Sequence, residues 1–228
     1  MDLSPLYISL KVAFTATFFA FFLGLLAARM VVRLNRLGGL VDGIFTLPMV
    51  LPPTVVGFFL LLIFGRNGLL GQFLLHIGAS VVFTWQGAVI AAVVVSFPLM
   101  YRTARGAFEQ MDRTLIYAAR TLGMGEVQIF WRIILPNSWP GVASGTVLTF
   151  ARALGEFGAT SMLAGNIPGR TQTMSLAIYS AVSGNNREKA YMWVAIIMAI
   201  SFATMFIMNL LTGYNPAGRR GRRRADGA

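Results

Sequence analysis

The chain predicts an all-α membrane protein with about five transmembrane helices. Three observations lead there: too much apolar residue, long uncharged stretches, and arginine gathered between alternate stretches. Of 228 residues, 56% are hydrophobic and only 12% charged. Soluble domains carry about a quarter charged residues. A soluble domain of this length has no interior large enough to hide such an excess, so lipid is the solvent for the remainder.

The stretches follow in order. The first spans 6–28 and holds Lys11 as its one charge, close enough to its outer end to reach the interface. The second, 44–64, is uncharged but carries Pro48, Pro52 and Pro53. The third spans 85–101, with Pro98 near its end. The fourth, 140–164, contains Arg152 and Glu156. The fifth, 191–212, is uncharged. A bilayer core needs about 20 helical residues. None of the stretches alternates polar and apolar residues, so helices and not barrel strands are expected. The whole of 1–228 reads as one membrane domain, and Met1 to Leu10 read as the lead-in to a retained span.

Orientation follows from charge. The formal net charge is +11, from 19 Lys+Arg against 8 Asp+Glu. The segments after stretches one, three and five hold 13 of those 19 cations, and the opposite side holds five. The richer side is expected in the cytoplasm. This puts the N-terminus outside and the C-terminus inside, with a cytoplasmic loop over 102–139 and a basic tail over 213–228. The tail, Arg219 to Arg224, reads as an anchor for anionic lipid headgroups. No aromatic residue is interleaved with those arginines, which argues against nucleic acid.

Several chemistries are excluded. There is no cysteine and a single histidine, His76, so no metal centre and no disulfide framework is expected. No Gly-x-x-x-x-Gly-Lys-Ser/Thr run occurs, so no P-loop binds ATP on this chain. No catalytic grouping is found, and the chain reads as a non-enzyme. The short apolar piece from Leu69 to Ile77 reads as an interfacial helix.

The cytoplasmic loop has a definite pattern. Asp112 is placed to cap a helix. Leu115, Ala118, Ala119 and Leu122 recur at helical spacing. Gly123 suits the left-handed residue that ends a helix. Glu126 opens a second amphipathic piece with Val127, Phe130, Trp131 and Ile134, which Pro136 is expected to stop. Two readings stand for this hairpin: packing on its own bundle, or docking of a soluble partner.

Inside the membrane, Arg152 and Glu156 are four apart on the expected fourth helix and can pair. They are read either as a structural lock or as groups lining and gating an anion path. Gly155 and Gly158 allow close helix packing there. The prolines of stretch two remove amide donors. Irregular backbone of that kind is tolerated where it is buried in protein or lines a watery cavity. Pro52, Pro53 and Thr54 are therefore candidates for the path, the alternative being a kinked packing helix.

The loop resembles the EAA loop of ABC importer permeases: Glu-Ala-Ala, three residues, Gly, nine residues, Ile, one residue, Leu-Pro. Ala118, Ala119, Gly123, Ile133, Leu135 and Pro136 stand at that spacing, and Tyr117 replaces the Glu. The run Leu47 to Gly57 is similar to the second span of molybdate permeases. So are Phe150 to Thr160, which includes Phe157, and Gly165 to Thr171. Sulfate permeases share the layout. The resemblance implies a type I ABC importer permease fold in a bacterial cytoplasmic membrane, passing molybdate or tungstate inward. Sulfate or thiosulfate is the alternative cargo, and a stand-alone secondary transporter or channel the alternative class. It implies a homodimer, two cytoplasmic ATPase subunits that bind the ATP and magnesium, and an extracytoplasmic oxyanion-binding protein. It assigns ATPase coupling to Tyr117, Ala118, Ala119, Arg120, Thr121, Leu122, Gly123, Leu135 and Pro136. Translocation is expected at Pro52, Pro53, Thr54, Arg152, Gly155, Glu156 and Phe157.

Overall fold

The structure, a computed structural model, describes residues 2–34 and 37–213, with the side chains of 211–213 left out. The basic tail arginines and Arg36 lie outside the described residues. Among those described, every regular element is helical: α1 (Ser4–Arg33), α2 (Gly38–Val50), α3 (Pro53–Phe64), α4 (Leu69–His76), α5 (Trp85–Glu109), α6 (Arg113–Thr121), α7 (Glu126–Ile129), α8 (Leu135–Leu154), α9 (Gly158–Leu163), α10 (Met174–Ser183) and α11 (Arg187–Gly213). A π-helical turn, Phe130–Ile134, joins α7 to α8.

Small residues set the centre of the bundle. Ala13, Ala16, Ala20 and Ala28 of α1 and Ala88, Ala91, Ala92 and Ala104 of α5 are all fully buried. A Cβ on Gly24 would lie 2.7 Å from Met100 Cγ, so α1 and α5 touch nearly backbone to backbone. α8 reaches α5 the same way. A Cβ on Gly141 would meet Ala107 Cβ at 2.7 Å, and one on Gly145 would come within 2.9 Å of Thr103 Cβ. This is a Gly-x-x-x-Gly contact, and it suits lipid, where dispersion at close approach holds helices together. Around this centre the large apolar side chains face outward, among them Phe14, Phe18 and Phe22 of α1 and Phe202 and Phe206 of α11.

Among the described residues three helices are long and apolar enough to cross a bilayer: α1, α5 and α11. Stretch two departs from the single helix expected of it. α2 and α3 meet at a bend of 108°, so the pair is a broken span or a re-entrant loop. Leu51 is extended (ψ 143°), the conformation a following proline favours, and Pro52 then caps a fresh start of α3 at Pro53. Stretch four is also corrected: α8 ends at Leu154 and α9 starts only at Gly158. Stretch three runs two turns past its expected end, to Glu109. A further apolar helix, α10, is shorter than a span. The Met174 amide at its start donates to Ser9 Oγ on α1 at 2.7 Å.

Candidate functional site

The two breaks lie against each other. A Cβ on Gly158 would be 3.1 Å from both Pro53 Cβ and the Thr54 nitrogen, and one on Gly57 would be 2.7 Å from Ala159 Cα. The first turns of α3 and α9 are therefore in contact, and only glycine permits it. Glu156 sits in the second break with 2% of its surface exposed. One carboxylate oxygen accepts from Arg152 Nη1 at 2.9 Å, and the other accepts from the Ala159 amide at 2.8 Å. The pair expected on one helix face thus exists, but across a helix end. By capping α9, the carboxylate competes with continuation of α8, and the chain breaks there. The Arg152 side chain remains 37% exposed. Phe157 packs its ring 5.4 Å from Tyr179 on α10. Pro53, Thr54, Arg152, Glu156 and the glycines beside them are brought together; Gly155 ends α8 and is exposed.

The second feature is the loop between α5 and α8, expected from its charge to be cytoplasmic. Asp112 Oδ1 accepts from the Thr114 amide at 2.9 Å, and that bond holds the carboxyl below its ordinary range. α6 closes as a Schellman turn: Gly123 has φ +76°, its amide donates to Arg120 O, and the Met124 amide donates to Ala119 O. The helical face expected from spacing is divided. Ala119 is buried against the bundle, while Leu115, Ala118 and Leu122 are exposed, as is Tyr117. α6 packs with Ile116 and Ala119 and leaves an open apolar strip.

Pro136 does not stop the second piece. Glu126 starts a helix that runs through the π-turn into α8. Leu135 N–H bonds back to Phe130 O, one residue further than in an α-helix. That offset accommodates a proline in the next position, and Asn137 Nδ2 donates to Ile133 O at 2.7 Å to satisfy a carbonyl there. Leu135 and Pro136 therefore belong to the first turn of α8.

Glu126 links these parts, a role that spacing alone does not reveal. Arg120 Nε of α6 donates to its carboxylate at 2.9 Å, and Arg33 of α1 binds the same carboxylate. Arg29 of α1 donates to Glu126 O at 2.8 Å and stacks over Phe130 at 4.6 Å. The Arg120 hydrogen bond above all, with the charges of Arg33 and Arg29, holds the Glu126 carboxyl below its usual value. A depressed carboxylate adds stability above its unfolded pKa and loses it as pH falls through the folded value. Amide exchange in 113–129, corrected for intrinsic rate, should be flat from pH 8 to pH 6 and rise below the ordinary carboxylate range. Glu126→Gln should shrink the step to the part owed to the Asp112 cap; an unchanged step would place the titration elsewhere. A similar cluster, also missed, ties α2 to α5: Asp42 accepts from Arg105 at 2.6 Å and from the Tyr101 hydroxyl at 2.8 Å.

The architecture is that of an ABC importer permease of type I. It matches a chain of the MetNI methionine ABC transporter in an inward-facing conformation with TM-score 0.71 at 19% identity, over 91% of this chain and 93% of that one. It matches a chain of a bacterial ABC transporter that imports alginate with TM-score 0.72 at 18% identity, over 94% and 79%. The family model described as "binding-protein-dependent transport system inner membrane component" matches residues 20–213, and the chain belongs to that family. Among its relatives, a putative molybdenum transport system permease protein of Bacillus subtilis strain 168 is 44% identical over 207 residues, 90% of this chain and 91% of that one. The molybdenum transport system permease protein of Escherichia coli strain K12 is also 44% identical, over 90% of each chain. A sulfate transport system permease protein of Salmonella typhimurium strain LT2 is 35% identical over 90% of this chain and 74% of its own.

Proposed function

We propose that this chain is the membrane subunit of an ATP-driven importer carrying molybdate, or the similarly shaped tungstate, into the cytoplasm. The observation that carries the cargo assignment is the 44% identity along nine-tenths of both chains to molybdenum permeases, against 35% to a sulfate permease. Sulfate and thiosulfate are the second reading, favoured by that same sulfate relative.

In this reading two copies of the chain form the pathway. Two soluble ATPases, which bind ATP and magnesium, dock on the exposed strip of α6, Tyr117, Ala118 and Leu122, with Gly123 fixing the turn. The neighbouring Arg120 and Thr121 complete the docking helix. An outer binding protein delivers the anion, and the arginine-rich face is cytoplasmic. Closure of the ATPase pair pulls the α6 helices together, and Glu126 passes that displacement to α1 and α8. At the crossed breaks, Arg152 attracts the anion and Glu156 limits its hold, while Pro52, Pro53, Thr54, Gly155 and Phe157 shape the passage. This division suits a pathway, since an ion must bind well enough to enter and weakly enough to leave.

The test is ATP hydrolysis by the assembled complex in lipid vesicles with its ATPase and binding protein. Molybdate should stimulate turnover and sulfate should not. Stimulation by sulfate alone would move the cargo. Failure of the chain to copurify with an ATPase would remove the importer reading.

A further inference from the structure

On the cytoplasmic half of the bundle, α5 and α8 leave an open groove of about 540 Å³. Its rim carries Arg102, Thr103, Gln110, Asn137, Ser138 and Ser144, and Gly106 and Gly141 help line it. Helical spacing aligns Arg102, Gly106 and Gln110 along α5, and Asn137, Gly141 and Ser144 along α8. Continuing up α8 in steps of four, Ser144 leads through Leu148 to Arg152. The groove therefore shares a helix face with the ion pair at the breaks, about 12 Å above Ser144.

The chemistry of this face is unlike that of a lipid-facing surface. α1 shows lipid a row of phenylalanines, whereas this groove sets amides, hydroxyls and a guanidinium among Ala107, Met111 and Pro140. The neighbouring carboxylates are engaged elsewhere. Asp42 and Glu109 bind Arg105, Glu126 binds the α1 and α6 arginines, Glu156 binds Arg152, and Asp112 caps α6. Among the described residues no ion pair involves Arg102. The hydroxyls of Thr103, Ser138 and Ser144 give their protons to the carbonyls of Leu99, Ala107 and Pro140. Donors left for a ligand are the Arg102 guanidinium, the Gln110 amide and the second N–H of Asn137. With the guanidinium as the one charge in the lining, such a set favours an anion over a cation.

We propose that this groove is a low-affinity exit subsite for the transported oxyanion, with Arg102 supplying its charge. The inference rests on the importer reading above. A single guanidinium at an open groove attracts a dianion without retaining it, as an exit step requires. It also raises the local anion concentration on the path from Arg152 to the cytoplasm.

The chain has no cysteine, so introduced thiols report cleanly. A Cβ on Gly106 meets nothing within 4 Å, and Ser144→Cys is nearly isosteric. Gly106→Cys and Ser144→Cys would be placed in the complete complex in vesicles. Each would be labelled from the cytoplasmic side with anionic and neutral thiol reagents of similar size. Both positions should label, and the anion that stimulates ATP hydrolysis should slow labelling. Adding Arg102→Gln should cut the anionic-to-neutral rate ratio about tenfold and remove the protection, while Arg102→Lys should keep most of it. Cysteines that do not label, a rate ratio indifferent to Arg102, or protection that follows anionic lipid content and ignores the anion would each overturn the proposal. Normal anion-stimulated hydrolysis with unprotected cysteines condemns the groove alone. Absence of stimulation by any oxyanion condemns the importer reading instead.

Discussion

Gly145→Ala should lower the protein's thermal stability in detergent clearly, and Gly145→Val should cost it most of its folded yield. A Cβ at this position would lie 2.1 Å from Thr103 Oγ1 and 2.9 Å from Thr103 Cβ. Rotating the hydroxyl relieves the first contact. The second is fixed to the α5 backbone, so α5 and α8 must separate. Overpacking in a dense interior costs about 1–3 kcal/mol, and more where backbones are forced apart. That is a large part of a stability of about 5–15 kcal/mol. Thermal unfolding followed by monodispersity in detergent gives the measure. Thr103→Gly added to Gly145→Ala should recover much of the loss, because it removes the Cβ that clashes. Wild-type stability for Gly145→Ala alone would mean that the crossing is loose.

The second large effect is expected at Glu156. Glu156→Gln keeps a carbonyl oxygen for the Ala159 amide, so α9 stays capped, but the negative charge beside Arg152 is gone. In the proposed pathway Arg152 is then an uncompensated cation. Uptake of the anion should fall by about tenfold, through slower release, while the ATPases still copurify; a change of about 1.4 kcal/mol in the hold on the ion is enough for that. Arg152→Ala acts differently. It leaves a carboxylate buried without its partner, a loss on the order of 3 kcal/mol when such a pair is broken from one side. It should lower both stability and uptake. The discriminating measurement is uptake at equal amounts of assembled complex. Normal uptake in both variants would reduce the pair to a structural lock.

These residues also mark where the sequence is readable and where it is not. Asp112 and Gly123 act locally, through an amide two residues on and a left-handed φ, and local chemistry can be read from local spacing. The Arg152–Glu156 contact was visible for the same reason. Its consequence was not: a carboxylate four residues on can extend a helix or cap the next one, and only its second hydrogen bond, accepted from the Ala159 amide, decides between them. Pro136 misled in the opposite direction, because a π-turn absorbs a proline that an α-helix could not. The divided face of α6 depends on what packs beneath it, and periodicity treats Ala118 and Ala119 alike. Glu126 lies far in sequence from Arg29 and Arg33, so its partners emerge only when α1 is laid beside the loop. Gly141 and Gly145 stand at the small-residue spacing, a local signal from which the α5–α8 crossing is readable.

The uninterrupted helical path from Glu126 to Leu154 joins the loop between α5 and α8 to the Arg152 break as one continuous arm. It measures about 43 Å at 1.5 Å per residue. A tilt of about 10° about its midpoint moves each end by about 4 Å in opposite directions, which is more than the radius of a tetrahedral oxyanion. In the proposed importer a stroke delivered at one end reaches the Arg152 end geometrically, with no relay of side-chain rearrangements between them. The π-turn near the driven end is the joint where such an arm would give, and so sets how much of the stroke arrives.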